Sequence, residues 1–329
     1  MTRRFGITAM LSAATLLLAL ASLVIGPADI SPGDVLRGLL PGAPEPLGVI
    51  IRDIRLPRVL LAILIGGSLG LSGAALQGLL RNPLAEPGVI GVSASAGFGA
   101  VLALYMTAGG LALSVPLAAM AGAGAATAIL VAMARGEASV LTLILAGVAI
   151  NALAGALTAL ALNLSPNPFA LQDMVYWLMG SLANRSFHDV ALAAPFILAG
   201  SLLLLLSGRG LAALTLGEET AASLGVPLAR LRLQVIIGAA LAVGAGVAVA
   251  GAIGFVGLVV PHMLRPLCGY DPARLLLPSA AGGAALLLLA DIAVRLAPGG
   301  QELKLGVVTA LIGAPVFLHL VWSTRRRMR

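Results

Sequence analysis

Apolar runs of about 20 residues, the length that crosses a bilayer, alternate along this chain with short polar punctuation. Such runs near 7–26, 57–80, 88–107, 111–133, 139–163, 189–207, 229–251, 273–297 and 305–323 predict membrane-spanning helices. One further apolar stretch, 254–268, is short for a full crossing; counted as a span it makes ten and puts both termini on one side. Within two of the runs small residues recur every fourth position: Gly66, Gly70, Ala74 and Gly78, then Gly238, Ala242, Gly246, Ala250 and Gly254. A ridge of that kind lets helix backbones approach closely and predicts a tightly packed bundle.

The most informative interruption is the island Arg81-Asn82-Pro83-Leu84-Ala85-Glu86-Pro87-Gly88-Val89-Ile90-Gly91-Val92-Ser93. Its two prolines cannot donate backbone hydrogen bonds, so no regular helix runs through it. Its Arg, Asn and Glu are costly beside hydrocarbon, which puts the island at a membrane surface or inside protein.

Composition narrows the class. The chain has 329 residues, of which 60% are hydrophobic and 10% charged, with mean hydropathy +1.06. A soluble domain carries about 25% charged residues, so the expected fold is an all-α polytopic membrane protein. The net charge of +7 would point to nucleic acid in a soluble protein; here it reflects the bias of basic residues to cytoplasmic loops, and no nucleic-acid partner is expected. With both termini cytoplasmic, thirteen of the 20 basic residues lie on the cytoplasmic side, the Arg325–Arg329 cluster among them. Seven lie outside: Arg37, Arg52, Arg55, Arg58, Arg185, Arg295 and Lys304. Were 254–268 not a span, the last two spans would invert. The single Cys268 excludes an intramolecular disulfide. Ala19-Leu20-Ala21 matches a signal-peptidase pattern, although a run as long as Ile7–Ile25 also serves as a first span.

Catalytic chemistry is thin. His188, His262 and His319 have no metal-ligand spacing, and no H-E-x-x-H is present. Gly91-Val92-Ser93 lacks the second glycine of a nucleophile elbow, which leaves an intramembrane serine protease as a minor alternative. A P-loop needs a lysine that reaches phosphates, and the only lysine, Lys304, stands between two leucines. An ion-coupled transporter would place ionisable groups near the midplane; the candidates, Asp291 and Arg295, lie toward the outer end of their span and can pair at i, i+4. In the cytoplasmic stretch Leu214–Pro227, Thr215 and Glu218 have capping-box spacing and Gly225 suits a helix end, so a short helix along the membrane is predicted there. Such a helix suits docking of a soluble partner, with an ordinary connector as the alternative. The outer stretch Gln172–Arg185 carries aromatics that suit either the mouth of a pathway or a membrane interface.

Four blocks, in order along nearly the whole chain, resemble the permease family of ABC importers for iron–siderophore complexes, haem and cobalamin. They are Arg55-Leu56-Pro57-Arg58, the island continued to Gly97, Leu214–Pro227, and Gly251–Arg265 with Asp291–Arg295 and Gly306–Pro315. The resemblance implies a permease of the type II importer architecture over residues 1–329, with a periplasmic loop at about 27–56 and a coupling loop at about 214–227. It further implies a homodimer in the lipid of a bacterial inner membrane, two cytoplasmic ATP-binding subunits that use ATP and Mg, and a periplasmic substrate-binding protein. No cofactor or metal is then bound by this chain, which is not itself an enzyme. By the same resemblance Arg55, Arg58 and Arg295 dock the binding protein. Leu216, Gly217, Glu218, Glu219, Leu224 and Gly225 couple to the ATPase. Asn82, Leu84, Ser139 and Val140 form the cytoplasmic gate, the last two departing from the serine/threonine pairing of relatives. The cargo it implies is a ferric siderophore or haem, with cobalamin as the alternative.

Overall fold

A computed structural model describes residues 2–111, 114–134, 140–297 and 302–327. These form fourteen α-helices, a π-helical turn Val49–Arg55 and a 3-10 turn Pro87–Ile90. Seven segments are long and apolar enough to span: Gly6–Val24, Val49–Leu79, Val115–Ala134, Leu141–Asn163, Phe187–Leu206, Leu228–Ala250 and Pro272–Leu296. They belong to α1 (Thr2–Val24), α3 (Leu56–Leu79, extended by the π turn), α5 (Val115–Ala134), α6 (Val140–Asn163), α8 (Phe187–Leu206), α11 (Leu228–Ala250) and α13 (Pro272–Leu296). Two more, α4 (Val92–Ala108) and α14 (Leu305–Arg327), contain shorter apolar helices.

The tenth predicted span is the exception. Only Val256–Leu264 is helical there (α12); nine residues rise about 14 Å, half of a hydrocarbon core. The chain enters α12 through Gly251 and Phe255, both at positive φ (73° and 67°). At Gly251 a Cβ would lie 2.3 Å from the Trp177 carbonyl oxygen, so the chain turns there only because it carries no side chain. The remaining helices lie outside the predicted spans: α2 (Pro32–Leu39), α7 (Pro168–Leu178), α9 (Gly208–Leu214) and α10 (Glu218–Ser223).

The predicted small-residue ridges are where the backbones meet. α3 and α11 are the most buried spans, and α3 packs most extensively on α13. A Cβ on Gly70 would stand 2.0 Å from the Ser279 carbonyl oxygen, and one on Gly283 would stand 2.2 Å from that of Gly66. Any larger residue would push the two helices apart. Cys268 is buried within the same apolar core. By contrast no more than 28% of the spanning stretch of α1, α5, α6 or α8 is buried, as in helices that face lipid or a second subunit.

Candidate functional site

The functional residues separate into two ends of the bundle. At one end the C-terminus of α1, the N-terminus of α3 and the C-terminus of α13 meet. Arg55, which ends the π turn, donates from Nη1 to the carbonyls of Leu23 (2.6 Å) and Val24 (2.7 Å), and from Nη2 to that of Ala28 (2.8 Å). It thereby satisfies carbonyls that α1 leaves unpaired at its end. Asp291, 0% exposed on α13, is bracketed by two guanidinium groups. Arg58 reaches it from Nε (2.9 and 3.1 Å) and Nη2 (2.8 Å), and Arg295 from Nη2 (3.0 Å). Arg58 also bridges Glu302, ahead of α14. Arg295 donates to the carbonyls of Ser22 (2.9 Å) and Ile25 (2.8 Å) and to the Ser22 hydroxyl.

The i, i+4 pair legible in the sequence is therefore one edge of a network that ties α1, α3, α13 and the segment entering α14. Arg55, Arg58 and Arg295 lie at the same end of the bundle, with their charges turned inward. Side-chain exposure is 11% for Arg58 and 5% for Arg295, and Arg55 is 4% exposed. Sequence reading misses Arg58–Asp291 and Arg58–Glu302, because pairs 233 and 244 residues apart have no local signature. Near this end the α7 ring of Tyr176 lies 4.9 Å below Lys304 Nζ, and Arg185, between α7 and α8, keeps a buried Nε without a partner. Burial holds the Arg185 pKa below the usual arginine value, the nearby Asp189 opposing that shift.

At the opposite end lies the island. Asn82 Oδ1 accepts the Leu84 N–H at 2.9 Å, fixing a tight turn that leaves Leu84 43% exposed. Glu86 accepts the N–H of Phe255 at the start of α12, and burial raises its pKa above the ordinary carboxylate value. The island is thus fastened to α12, where a carboxylate suits the helix N-terminus. Of the other two gate positions, Ser139 lies outside the described residues, and Val140 begins α6.

Next to the island, α9 and α10 form a surface platform where the sequence predicts one short helix, with one correction. Thr215 does not cap the helix that follows; its hydroxyl donates back to the Ala212 carbonyl at 2.7 Å, closing α9. Gly217, at φ 103°, leads into α10 instead. Glu218 bridges Arg232 of α11 at 2.8 Å, so the carboxylate expected in a capping box serves as an anchor. The far end follows the predicted glycine stop: Gly225 has φ 84°, its N–H bonds the Ala222 carbonyl, and Val226 N–H bonds that of Ala221. Buried Leu211, Leu214 and Ala221 hold the platform to the bundle, while Leu216 (61%), Leu224 (63%) and Glu219 face outward. Exposed leucines flanking a short polar helix make a surface that a soluble partner can cover.

Beside the first half of α14 lies an open groove of about 550 Å³ with no charged residue in its lining, which includes Leu178, Met179, Ala252 and the α14 residues Val307, Ala310 and Pro315. With no polar side chain in that lining, nothing there fixes the orientation of a ligand.

Comparison with known proteins agrees with this layout. The model of the FecCD transport family matches residues 14–323. An uncharacterised ABC transporter permease protein, YvrB of Bacillus subtilis, is 43% identical over 292 residues, 87% of this chain and 82% of its own. The vitamin B12 import system permease protein BtuC of Salmonella paratyphi A is 43% identical over 324 residues, 96% of this chain and 94% of its own. A solved ABC transporter, described as of the metal-chelate type and inward-facing, superposes with a TM-score of 0.86 at 33% identity, covering 97% of this chain and 99% of that one. ABC importer permeases of this kind dimerise and work with ATPase subunits. This chain belongs to the FecCD transport family and is a multi-pass ABC importer permease of the type II architecture.

Proposed function

We propose that the chain is the permease of an importer for a bulky metal complex, and that cobalamin leads the candidates. The observation that carries the reading is the uncharged groove of about 550 Å³ beside α14, whose lining offers an amphipathic ligand no charged contact and so leaves selection to a binding protein. The 43% identity to a vitamin B12 permease over 96% of the chain favours cobalamin. A ferric siderophore or haem is the second reading, favoured by the structural match to a transporter of metal-chelate type.

In this reading the chain sits in a bacterial inner membrane with both termini cytoplasmic and pairs with a second copy of itself. Two cytoplasmic subunits use ATP and Mg and dock on Leu216, Gly217, Glu218, Glu219, Leu224 and Gly225; the exposure of both leucines supports this. The gate at Asn82, Leu84, Ser139 and Val140 is supported at Leu84 by its outward position beside the platform. A periplasmic binding protein docks over Arg55, Arg58 and Arg295. Their gathering at the end opposite the platform supports that face, and Arg58, bridged to the 32%-exposed Glu302, is the route by which docking reaches α14. ATP binding by the partners changes the relative stability of the two open states only through differential contact with α9 and α10.

Proteoliposomes holding the chain with its ATPase and binding protein test the cargo. ATP-dependent uptake of cobalamin, with ferric siderophore and haem neither transported nor competing, is the expected result. Uptake of a ferric chelate alone transfers the assignment to the second reading, and uptake of none of the three refutes both.

A further inference from the structure

Beneath the platform, where α3 ends, lies a polar cavity of about 160 Å³ that neither docking nor transport explains. Its walls include Gln77, Arg81, Thr215, Arg265, Tyr270 and Pro272. Gln77 is 1% exposed and held in one orientation: its amide donates to the Leu258 carbonyl (3.3 Å), and its Oε1 accepts from Arg265 Nη2. Arg265 is thereby fixed, and its Nε is buried with no hydrogen-bond partner. Arg81 joins from the other side, where the chain leaves α3 in the left-handed conformation (φ 49°).

Two cations at one cavity call for an anion. Among the described residues neither arginine makes an ion pair. Of the carboxylates on adjoining turns, Asp271 is committed to the α13 N-terminus and to Arg274 (2.6 Å) and Glu218 to Arg232 (2.8 Å), while Glu219 faces outward. A buried guanidinium N–H without an acceptor is a costly arrangement unless a ligand supplies one. Guanidinium forks match the paired oxygens of a phosphate group, and the cavity has room for one with bridging water. Met263 of α12, Leu267 of the turn that follows it and Leu277 of α13, each more than half exposed, offer apolar surface to acyl chains.

We infer that this cavity binds a phosphate group, that of an anionic phospholipid or a free phosphate, between the end of α3 and the α9–α10 platform. Basic pockets between spans on the cytoplasmic side suit anionic headgroups. Because Thr215 joins α9 to α10 and also lines the cavity, an occupant would tie the platform to α3 and to the turn between α12 and α13.

The test uses the full chain with its co-purifying subunits in phosphatidylcholine nanodiscs. It is titrated with short-chain phosphatidylglycerol, with inorganic phosphate and with short-chain phosphatidylcholine, reading melting midpoint and lipid retained by native mass spectrometry. Phosphatidylglycerol should raise the midpoint, and Arg265→Gln should weaken its binding about tenfold, the loss expected for a charge-assisted hydrogen bond. Arg81→Gln should do the same, and, being an exposed position, it keeps the test valid if the Arg265 variant fails to fold. Protection by inorganic phosphate equal to that by the lipid assigns the site to the free anion. Equal binding of phosphatidylcholine, or unchanged affinity in a folded Arg81→Gln variant, overturns the inference. So does absence of binding together with loss of the ATPase on Arg81→Glu, which would assign the arginines to an acidic partner side chain.

Discussion

Asp291 concentrates in one carboxylate the energetics of the end where α1, α3 and α13 meet. It is 0% exposed and faces both Arg58 and Arg295, so its charge is what lets two nearly buried guanidinium groups stay there. Removing one partner of a buried ion pair costs about 3–5 kcal/mol, because the remaining charge loses its compensation. Asp291→Asn should therefore lower expression and the melting midpoint sharply; a midpoint unchanged in detergent would show that the network is not structural. Glu86 gives the opposite kind of case. Burial raises its pKa above the ordinary 4.5, against the pull of the Phe255 N–H, so between the two values the folded protein binds more protons than the unfolded. Stability contributed by this group accordingly falls as pH rises from about 4.5 through the raised value. Glu86→Gln keeps an acceptor for Phe255 and abolishes that loss. Melting curves from pH 4.5 to 7 should show the wild type losing stability relative to the variant as pH rises; parallel curves would exclude the shift.

For elements, what was legible in the sequence tracks what is local. Hydrophobic length is a one-dimensional property, so the predicted span at 139–163 becomes α6 at Val140–Asn163 and that at 229–251 becomes α11 at Leu228–Ala250. The four-residue spacing of small residues likewise announced the close crossings of Gly66 and Gly70 with Gly283 and Ser279. That 254–268 is short for a full crossing was legible; that its helix is confined to Val256–Leu264 was not, because positive φ at Phe255 is imposed by neighbours distant in sequence. Whether Arg58 faces water or Asp291 was equally hidden, since it depends on how closely α3 meets α13. At α10 the polar composition pointed to a surface helix, while the true start at Gly217 became visible only once Thr215 was seen bonded to Ala212. That platform makes a clean prediction, because Leu216 and Leu224 are exposed and carry little of the fold. Replacing both with Glu should leave melting within about 0.5 kcal/mol of wild type, as for ordinary surface positions, while abolishing co-purification of the ATPase. Full co-purification would place the docking surface elsewhere.

At the scale of the whole molecule, the polar groups stand at the two ends and the middle is apolar, which bears on how transport is powered. An ion-coupled carrier needs a midplane group that exchanges its ion between the two sides, usually a carboxylate with access to water. Among the described residues Asp291 is the one carboxylate that is 0% exposed, Glu86 of the island being half-buried, and Asp291 is held by hydrogen bonds from Arg58 and a salt bridge from Arg295. A proton or sodium ion entering there would have to displace a guanidinium group, losing the compensation that keeps the site buried. The platform, by contrast, presents a surface through which an external ATPase can act on the bundle. Uptake into proteoliposomes carrying the chain, its ATPase and its binding protein should therefore require ATP and be unchanged by an imposed proton or sodium gradient. Asp291→Asn, where it can be purified, should reduce the amount of active complex without creating ion dependence. Gradient-driven uptake by the chain alone, abolished by that same substitution, would make Asp291 a coupling group and overturn the ATP-driven reading.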